Sequence, residues 1–376
     1  MKKLKILELT NYTAGGCGVG ARVLQESAML SKRGYEVRIF SSNFTKGSTD
    51  LAQEEEMIDS VKIKRFPAKK LGGESFMIWN FESEALKFKP DIMIVHAYRH
   101  IHTTQALKIA RKLNAKIFLV THAPFDRNST RTLFQKGAVF FYDIFIGKRT
   151  LRKFDKIIAI TKWEIPFLLK LGIKEENIEY IPNGIKDEFF KDNNKVKEEN
   201  KIIYMGRISP IKNLEVMIKA LPLIDNKNII FEIIGPCEDN YLKKLVSYIK
   251  YLDLENRVKI INKTYIFKEE IKQLNSSRFF ILPSLSEGMP QVLVEAMALG
   301  RIVIASDNKG NSDLIINGKN GFLFRNNDEK DLSEKINKIL VMKDNELIKI
   351  KKEAKKTAEQ FSWNKIINKI EKLING

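Results

Sequence analysis

The sequence predicts an α/β protein made of two doubly wound domains. At 376 residues the chain is too long for one ordinary core and fits two domains of about 180 residues. Short apolar runs that barely alternate recur between helical segments, as expected for parallel strands that are buried on both faces. A polar, charged stretch without periodicity, residues 186–201, separates two sets of these runs. We therefore expect one Rossmann-like domain on each side of it.

The first half opens with a strand, a helix and a second strand. The run LKILELT precedes a helical pattern from Ala21 to Arg33, Gly34 suits the end of that helix, and VRIFSS follows. Three more strand patterns each follow a polar helical segment: DIMIVHA, KIFLVTHA and KIIAIT. These elements predict an N-terminal domain over residues 1–185.

The second half repeats this pattern. Helical segments separate five strands of the buried type: KIIYM, NIIFEIIG, RVKIIN, FFILPS and RIVIAS. They predict a C-terminal domain over residues 196–358. Apolar residues at helical spacing in FSWNKIINKIEKLI predict a last helix within residues 360–376, and we expect it to pack back on the N-terminal domain.

Composition and charge narrow the class of protein. A hydrophobic content of 44% argues against disorder. The two cysteines, Cys17 and Cys237, match no metal-ligand spacing and favour a reducing, cytoplasmic location. The start MKKLKILEL lacks the features of a signal peptide, and no apolar stretch is long enough to cross a membrane. The net charge of +19 is compatible with donor phosphates, a lipid surface or nucleic acid as partners.

Residues 127–153 combine basic and aromatic side chains. The basic residues are Arg127, Arg131, Lys136, Lys148, Arg149, Arg152 and Lys153. The aromatic residues are Phe134, Phe140, Phe141, Tyr142 and Phe145. This mixture is typical of a segment that lies on an anionic membrane surface. The alternative is a helix that packs on its own domain and has a basic outer face.

The loop GCGVGA, residues 16–21, matches the dinucleotide fingerprint G-x-G-x-x-A. The match is weak, because TNYTA intervenes after the strand and the next strand ends without the acidic residue that would hold a ribose hydroxyl. We favour a glycine loop whose backbone N–H groups approach an anionic oxygen at a helix N-terminus. A simple tight turn and a nicotinamide site are the alternatives.

The most specific signal is the segment SEGMPQVLVEAMALG, residues 286–300. It follows the strand FFILPS, and Pro290 lies where the next helix should begin. The free N–H groups of Gln291 and Val292 then make an anion site at the carboxyl end of the sheet. Glu287 and Glu295, with seven residues between them, would address different hydroxyls of one elongated ligand. The alternative is two surface glutamates, but the helix is too apolar for that.

The loop GRISPIKN, residues 206–213, follows the strand KIIYM. It places Arg207 and Lys212 at the carboxyl end of that strand. A guanidinium and an ammonium group there are suited to neutralise phosphates. The alternative is that both are ordinary solvated loop charges.

At this point the sequence resembles glycosyltransferase family 4, the retaining enzymes of GT-B architecture. The resemblance covers essentially the whole chain. The segments that carry it are GGCGVG, THAPFD, ITKWE, IPNGI, GRISPIKN, SEGMPQVLVEAM, NGKNGFLF and FSW. The two glutamates with seven residues between them and the paired Arg and Lys are specific, and the other segments are supportive.

The resemblance implies roles for individual residues. Arg207 and Lys212 would hold the donor diphosphate, Glu295 would bind the ribose hydroxyls, Glu287 would touch the transferred sugar, and His122 would lie beside the reacting carbon. The donor-binding set would also contain Gly15, Gly16, Gly288, Met289, Gln291 and Val292. The N–H group of Gly16 would meet the distal phosphate.

Two positions depart from the family pattern. Pro290 stands where glycine is frequent and removes one N–H donor. Asn262 replaces a usual glycine, and we expect it to adopt the left-handed backbone angles that Asn tolerates.

The resemblance implies transfer of a hexose from a nucleoside diphosphate sugar, which we expect to be UDP-linked, to a glycan or lipid-linked acceptor. No metal or other cofactor is expected, because the two basic side chains and the helix N-terminus would stabilise the leaving diphosphate. The usual proposal for retention is that the acceptor attacks from the same face of the sugar as that from which the leaving group departs. The alternative is that Glu287 acts as a covalent nucleophile. An epimerase or phosphorylase of the same architecture remains open, and so does a basic module that binds a nucleotide or nucleic acid, although nucleic acid is not an expected partner.

Overall fold

The computed structural model describes residues 3–125, 132–191 and 196–376. The chain divides into two compact units, the first made of Met1–Asn183 with Lys365–Gly376 and the second of Gly184–Asn364. Each unit is a mixed α/β domain built on a mainly parallel sheet, so the predicted fold class is confirmed. The stretch that we expected to separate the domains belongs to the second unit, where residues 187–190 form a 3-10 turn and Phe189 is buried.

The first unit alternates strands and helices along most of its length. Its elements are β1 (Lys5–Leu9), β2 (Ala14–Gly15), α1 (Gly18–Lys32), β3 (Glu36–Ser42), β4 (Thr45–Lys46), β5 (Glu55–Ile58), β6 (Val61–Phe66), β7 (Ala68–Lys70), β8 (Met77–Trp79), α2 (Glu82–Phe88), β9 (Ile92–His96), α3 (Ile101–Leu113), β10 (Lys116–Val120), α4 (Leu133–Tyr142), α5 (Lys148–Leu151), β11 (Lys156–Ala159), α6 (Ile165–Lys170) and β12 (Ile178–Tyr180). A π-helical turn, Asp143–Gly147, joins α4 to α5.

Among the described residues of the first unit, eight strands form one sheet in the order β12-β11-β10-β9-β1-β3-β6-β5. All neighbours are parallel except β5 and β6, which form an antiparallel hairpin at the edge. Strand β9 is buried along its whole length, as its uninterrupted apolar sequence predicts for a strand covered on both faces. The carboxyl ends of β1, β9 and β10 lie side by side at one edge of this sheet.

The second unit repeats the doubly wound pattern, and the terminal helix follows it in the chain. The elements are β13 (Glu199–Met205), α7 (Leu214–Ala220), β14 (Ile230–Ile234), α8 (Asp239–Tyr251), β15 (Val258–Ile261), α9 (Phe267–Ser276), β16 (Ser277–Leu282), α10 (Gln291–Ala298), β17 (Ile302–Ser306), α11 (Lys309–Ser312), β18 (Phe322–Phe324), α12 (Glu329–Leu340), α13 (Asp344–Ala358) and α14 (Trp363–Asn375). Its sheet is parallel, in the order β15-β14-β13-β16-β17-β18.

Helix α14 belongs to the first unit from Lys365 onward, as we expected of the last helix. Its isoleucines Ile366, Ile367 and Ile370 are fully buried, as helical spacing of apolar residues predicts. Arg33, just after α1, forms a salt bridge with Glu371 of this helix.

Candidate functional site

Two histidines meet at the carboxyl edge of the first sheet. Strands β9 and β10 are parallel neighbours, with Val120 opposite His96, so the loop after β10 begins beside the end of β9. His96 Nδ1 lies 3.0 Å from His122 Nε2, and the ring centroids are 5.2 Å apart. The structure therefore joins the predicted catalytic residue His122 to a second histidine for which the sequence had given no role.

The backbone around these histidines is strained. Ala97 and Arg99 after β9 have φ angles of 78° and 69°, and His122 and Ala123 after β10 have φ angles of 59° and 51°. Left-handed angles are costly for residues with a side chain, of order 1–3 kcal/mol each, and they concentrate at functional sites. The backbone angles of these two loops therefore indicate a functional site, independently of the side chains of His96 and His122.

A buried charged network lies beneath His122. The carboxylate Oε2 of Glu8 is 2.6 Å from His96 Nε2, and both side chains are fully buried. On α1, Arg22 Nε donates to Glu26 Oε2 over 3.1 Å, and this pair is also fully buried. Arg22 further donates to the side-chain carbonyl of Asn183 over 3.0 Å.

Burial shifts the pKa values in this network. It raises the pKa of Glu8 to about 8, and burial together with the charge of Glu8 raises the pKa of Glu26 to about 7. Burial lowers the pKa of His96 to about 3 and the pKa of His122 well below its ordinary value. The lowered pKa values keep both histidines uncharged at neutral pH, and the raised pKa of Glu8 favours its protonated form.

The glycine loop folds back on the start of α1. Gly15 has a φ of 81° and pairs with Lys46, and an added Cβ would meet the Lys46 backbone, so glycine is required there. Gly16 faces open space, whereas a Cβ at Gly20 would lie 2.6 Å from the carbonyl oxygen of Tyr12. Tyr12 belongs to the insert TNYTA, so the backbone of this insert packs closely against the first turn of α1.

In the second unit, the two predicted phosphate ligands lie in the loop after β13. Lys212 Nζ is 2.6 Å from Glu287 Oε1, and both side chains are largely buried. Arg207 lies 3.8 Å from Glu238, and 61% of its side chain is exposed. The structure thus brings Lys212 and Glu287 together, whereas Arg207 remains available at the surface.

Polar side chains fix the turn between β16 and α10. Leu285 donates its N–H to the carbonyl of Ile211 over 2.9 Å, which connects this turn to the loop that carries Lys212. Ser306 and Asn308 both donate to the Ser284 carbonyl. A Cβ on Gly310 would meet the carbonyl oxygens of residues 287 and 288, so the turn packs closely against α11.

Helix α10 begins directly after Pro290, which is its N-cap residue. The first N–H groups that bond within the helix belong to Leu293 and Val294, which both donate to the Pro290 carbonyl. The N–H groups of Gln291 and Val292 therefore precede the hydrogen-bond ladder of the helix. Gly288 and Met289 form the turn immediately before them.

Glu295 lies in the middle of α10 with two charged neighbours that the sequence did not reveal. Burial, and then the charge of Glu270, raises the pKa of Glu295, while the positive charge of Lys186 opposes that rise. Nearby, the side chain of Gln291 donates to the Gly184 carbonyl over 3.0 Å. Glu295 is therefore a partly desolvated carboxyl group rather than a surface one.

The expectation for Asn262 was wrong. Asn262 does not adopt a left-handed φ. Its side-chain oxygen accepts a hydrogen bond from the Cys237 N–H over 3.1 Å. The side chain thus ties the end of β15 to the loop after β14, a function that glycine could not supply.

The helix that begins at α4 presents aromatic side chains to solvent. Phe134, Phe140, Phe141 and Phe145 are all exposed, by 57–86%. Arg127 and Arg131 of the predicted basic and aromatic segment lie outside the described residues. The remaining basic residues, Lys136, Lys148, Arg149, Arg152 and Lys153, are exposed or half-buried. The exposed face of the segment is therefore apolar as well as basic.

The only acidic residue within this helix anchors it to the domain. Asp143 accepts hydrogen bonds from Arg99 Nε and Nη2, over 2.8 and 2.7 Å, and from the Tyr98 hydroxyl over 3.0 Å. A Cβ on Gly147 would collide with the Tyr98 hydroxyl. Arg99 also donates to the Pro124 carbonyl, so one guanidinium joins the helix to the loop that carries His122.

Other features of the described residues lie apart from these sites. A cavity of about 750 Å³ at the amino ends of β10 and β11, lined among others by Lys116, Lys156 and Lys369, contains none of the predicted site residues. Within residues 3–125, 132–191 and 196–376, no group of three or more His, Cys, Asp or Glu side chains could hold a metal ion. None of the helices in those ranges has both the length and the apolar character that are needed to span a membrane.

Two family models match the chain in succession. The model described as Glycosyltransferase Family 4 matches residues 16–189, and the model described as Glycosyl transferases group 1 matches residues 185–357. An uncharacterized glycosyltransferase of Methanocaldococcus jannaschii is 27% identical, over 99% of this chain and 98% of its own. A UDP-Gal:alpha-D-GlcNAc-diphosphoundecaprenol alpha-1,3-galactosyltransferase of Escherichia coli is 28% identical, over 76% of each chain.

Solved structures show the same architecture. HepE of Anabaena, in complex with UDP and glucose, has a TM-score of 0.77 at 17% identity, covering 99% of both chains. Sucrose-phosphate synthase of Thermosynechococcus elongatus has a TM-score of 0.80 at 17% identity, covering 99% of this chain and 98% of its own. The fold and the matched models together define a glycosyltransferase of GT-B architecture. Within that class, the chain is similar to glycosyltransferase family 4, since the model of that name and the model of Glycosyl transferases group 1 together match residues 16–357.

Proposed function

We propose that this glycosyltransferase is a retaining enzyme that transfers a hexose from a UDP-sugar to a glycan or lipid-linked acceptor. The second unit would hold most of the donor, and the first unit would bind the acceptor. The observation that carries the proposal is the pairing of Lys212 with Glu287, which lies in the turn that leads into α10. It combines a cation, a carboxylate and a helix N-terminus, which are the groups that a sugar diphosphate needs.

The names of similar proteins support the choice of substrates. The Escherichia coli relative is named for UDP-galactose as donor and a sugar linked to diphosphoundecaprenol as acceptor. The Anabaena structure was solved with UDP and glucose. Both names describe UDP together with a hexose, so we propose the same donor class for this chain.

The diphosphate would be held by charge and by backbone dipoles. Departure of the nucleotide leaves negative charge on the diphosphate and positive charge on the anomeric carbon. Arg207 and Lys212 would neutralise the diphosphate, with the N–H groups of Gln291 and Val292 at the positive end of α10. We propose that these groups suffice without a metal ion.

Glu287 suits a sugar-binding role better than that of a nucleophile. Its Oε1 is held by the Lys212 ammonium group at 2.6 Å, and a carboxylate oxygen that is paired in this way is a weaker nucleophile. We therefore propose that Glu287 accepts hydrogen bonds from sugar hydroxyls and that the acceptor attacks from the face that the diphosphate leaves. Glu295 would bind the ribose hydroxyls.

In the first unit, His122 would contact the transferred sugar. His122 is uncharged at neutral pH because burial lowers its pKa, so it would exchange neutral hydrogen bonds with sugar hydroxyls rather than act as a cation. The N–H group of Gly16, in the open space at the start of α1, would meet the distal phosphate of the donor.

Calorimetric titration of the purified protein with UDP, GDP, ADP and NAD, with and without a chelator, tests the donor site. We expect UDP to bind whether or not the chelator is present, and we expect Arg207→Ala and Lys212→Ala each to weaken binding about 10- to 100-fold, as the loss of a charged hydrogen bond does. Binding of NAD alone would return the GCGVGA loop to a nicotinamide site. Turnover that requires inorganic phosphate would indicate a phosphorylase.

We also propose that the protein binds peripherally to the anionic inner face of the cell membrane through the exposed face of residues 132–153. The exposed phenylalanines would enter the interface between headgroups and acyl chains, and the neighbouring basic residues would meet anionic headgroups. A lipid-linked acceptor would be found at the same surface.

Co-sedimentation with vesicles tests this attachment. We expect binding to phosphatidylglycerol vesicles but not to phosphatidylcholine vesicles, and we expect a double variant, Phe141→Ser with Phe145→Ser, to lose it. Tyr251→Ser is a matched control, because Tyr251 is an exposed aromatic residue of the second unit. Equal binding to both vesicle types, or loss of binding in the control, would contradict the proposal.

A further inference from the structure

The hydrogen bonds between Glu8, His96 and His122 form a directional chain. Glu8 Oε2 faces His96 Nε2, and His96 Nδ1 faces His122 Nε2. A neutral imidazole has one nitrogen that donates and one that accepts. If His96 accepts from Glu8, it must donate to His122, and if it donates to Glu8, it must accept from His122.

We propose that Glu8 is a positioning residue that acts through His96: its proton determines which ring nitrogen of His122 carries hydrogen. The inference rests on the proposed function of His122 as a sugar-contacting residue. With its proton on Oε2, Glu8 donates to His96 Nε2, His96 Nδ1 donates to His122 Nε2, and the hydrogen of His122 then lies on Nδ1. An ionised Glu8 accepts from His96 instead and reverses both tautomers, so His122 Nδ1 becomes an acceptor.

Charge balance in the buried network favours the protonated state at neutral pH. The groups that face Glu8 are Arg22 and Glu26 on α1 and His96 on β9, with His122, His100 and His102 next to them. These groups include one guanidinium and two carboxyl groups, so one retained proton makes the network neutral. Arg22 forms a salt bridge with Glu26 and so stabilises the carboxylate form of Glu26. The retained proton is therefore assigned to Glu8. The raised pKa of Glu8, about 8, agrees with this assignment.

The consequence for the reaction concerns the free nitrogen of His122. His96 is hydrogen-bonded to Nε2 of His122, so Nδ1 of His122 is the ring nitrogen that can bind a ligand. With Glu8 protonated, that nitrogen is a donor to a sugar oxygen. With Glu8 ionised, the same nitrogen can only accept, and a sugar oxygen that had accepted its hydrogen loses a partner.

Long-range ¹H–¹⁵N spectra of the full chain, labelled with ¹⁵N-histidine, report the tautomers directly. The chain has four histidines, so single substitutions assign the signals. We expect His96 and His122 to carry hydrogen on Nδ1 at pH 6.5 and on Nε2 at pH 9.5. A His122 tautomer that is the same at both pH values would overturn the proposal.

Two pairs of variants separate positioning from mere structure. Glu8→Gln and His96→Asn each keep an amide N–H that can replace the donated hydrogen, whereas Glu8→Leu and His96→Leu do not. We expect Glu8→Gln to keep His122 in the Nδ1 tautomer at both pH values and to keep its turnover at pH 9.5. In the wild type, turnover falls about 10-fold over the same interval, as the loss of one hydrogen bond predicts.

For Glu8→Leu and His96→Leu we expect turnover to be reduced already at pH 6.5. They should lower kcat at pH 6.5 by about 10-fold without a change in the affinity for UDP, because they leave every proposed ligand of the diphosphate in place. Glu232→Gln is a matched control, since it removes a buried carboxylate that is paired with Lys201 in the second sheet. A Glu8→Gln variant that shows the same tautomer change as the wild type would refute the role of Glu8. Intact tautomer behaviour in a protein that transfers no sugar would instead refute the proposed function alone.

Discussion

The carboxyl group of Glu8 makes the stability of the first unit depend on pH. Its pKa is raised from 4.5 to about 8, so between these values the unfolded chain loses a proton that the folded chain keeps. The stability contributed by the neutral carboxyl is therefore present at low pH and is lost as pH rises toward 8. Glutamine does not titrate, so Glu8→Gln should gain stability relative to the wild type by up to about 1.4 kcal/mol per pH unit.

Urea unfolding at pH 5, 6.5 and 8 measures this effect. Glu8→Leu should show the same dependence with a different offset, because it also lacks the titrating group. A difference from the wild type that is constant across the three pH values would show that Glu8 titrates normally in the folded protein.

The ion pair between Lys212 and Glu287 predicts opposite effects on binding and on turnover. Glu287→Gln removes the negative charge that occupies the Lys212 ammonium group at 2.6 Å, so UDP should bind as tightly as before or more tightly. Turnover should nevertheless fall at least 100-fold, because the carboxylate that meets the sugar is lost. Calorimetry and steady-state kinetics on the same preparation measure both quantities.

The matched control is Glu238→Gln, which releases Arg207 from a long surface contact. Surface ion pairs contribute little, so UDP affinity should change less than about 3-fold. If Glu287→Gln weakened UDP binding as strongly as Lys212→Ala does, Glu287 would be a direct ligand of the nucleotide, and its assigned role would be wrong.

Among the elements, the helix that runs from α4 through the π-helical turn is fixed by the cross-link between Arg99 and Asp143. Arg99 holds Asp143 with two hydrogen bonds, and both side chains are largely buried. Arg99→Leu should leave Asp143 poorly compensated and cost about 1–3 kcal/mol. Amide hydrogen exchange of residues 133–151 should accelerate, whereas the amides of β9 and β10 should keep their protection.

Lys112→Leu is the comparison variant for this experiment. It removes a salt bridge to Glu82 in which both side chains are exposed, so exchange should hardly change. Exchange in residues 133–151 that is equally slow in Arg99→Leu would show that packing, rather than Asp143, holds the helix.

The buried parallel strands are the elements that the sequence predicts best. DIMIVHA and KIFLVTHA correspond to β9 and β10 with boundaries that differ by at most three residues, because strands buried on both faces must be apolar at every position. The hairpin of β5 and β6 was missed. Its turn uses Asp59 and Ser60 at φ angles of 46° and 67°, without the glycine that normally marks such a turn.

The site was predictable only where it depends on local sequence. The glycine loop, the loop after β13 and the start of α10 are each contiguous, so their residues can be recognised from the sequence alone. The contact between His96 and His122 depends on the pairing of β9 with β10, which places the ends of two distant segments side by side. The signal available in the sequence was that both histidines lie at the carboxyl ends of predicted parallel strands.

At the scale of the whole molecule, the last helix of the chain packs on the first unit, which is otherwise formed by the N-terminal half of the sequence. Ile366, Ile367 and Ile370 of α14 are fully buried, although they lie more than 180 residues after the rest of that unit. Ile370→Ala should lower the free energy of unfolding by about 2–5 kcal/mol, as a buried aliphatic truncation does. Lys372→Ala, on the exposed face of the same helix, should change it by less than about 0.5 kcal/mol.

Thermal unfolding followed by calorimetry measures both variants, and bound UDP helps to assign the transitions. If α14 stabilises the first unit, Ile370→Ala should lower the transition that UDP does not raise. A variant that lowers only the UDP-sensitive transition would assign the helix to the second unit.

The anomeric configuration of the product tests the central claim most directly. The enzyme is incubated with UDP-galactose or UDP-glucose and a sugar linked to polyprenyl diphosphate, and the new linkage is identified by the proton coupling at its anomeric carbon. The α-configured donors should give an α-linked product, in the presence of a chelator and without added phosphate. A β-linked product would contradict retention, and no transfer from any UDP-hexose would contradict the proposed donor.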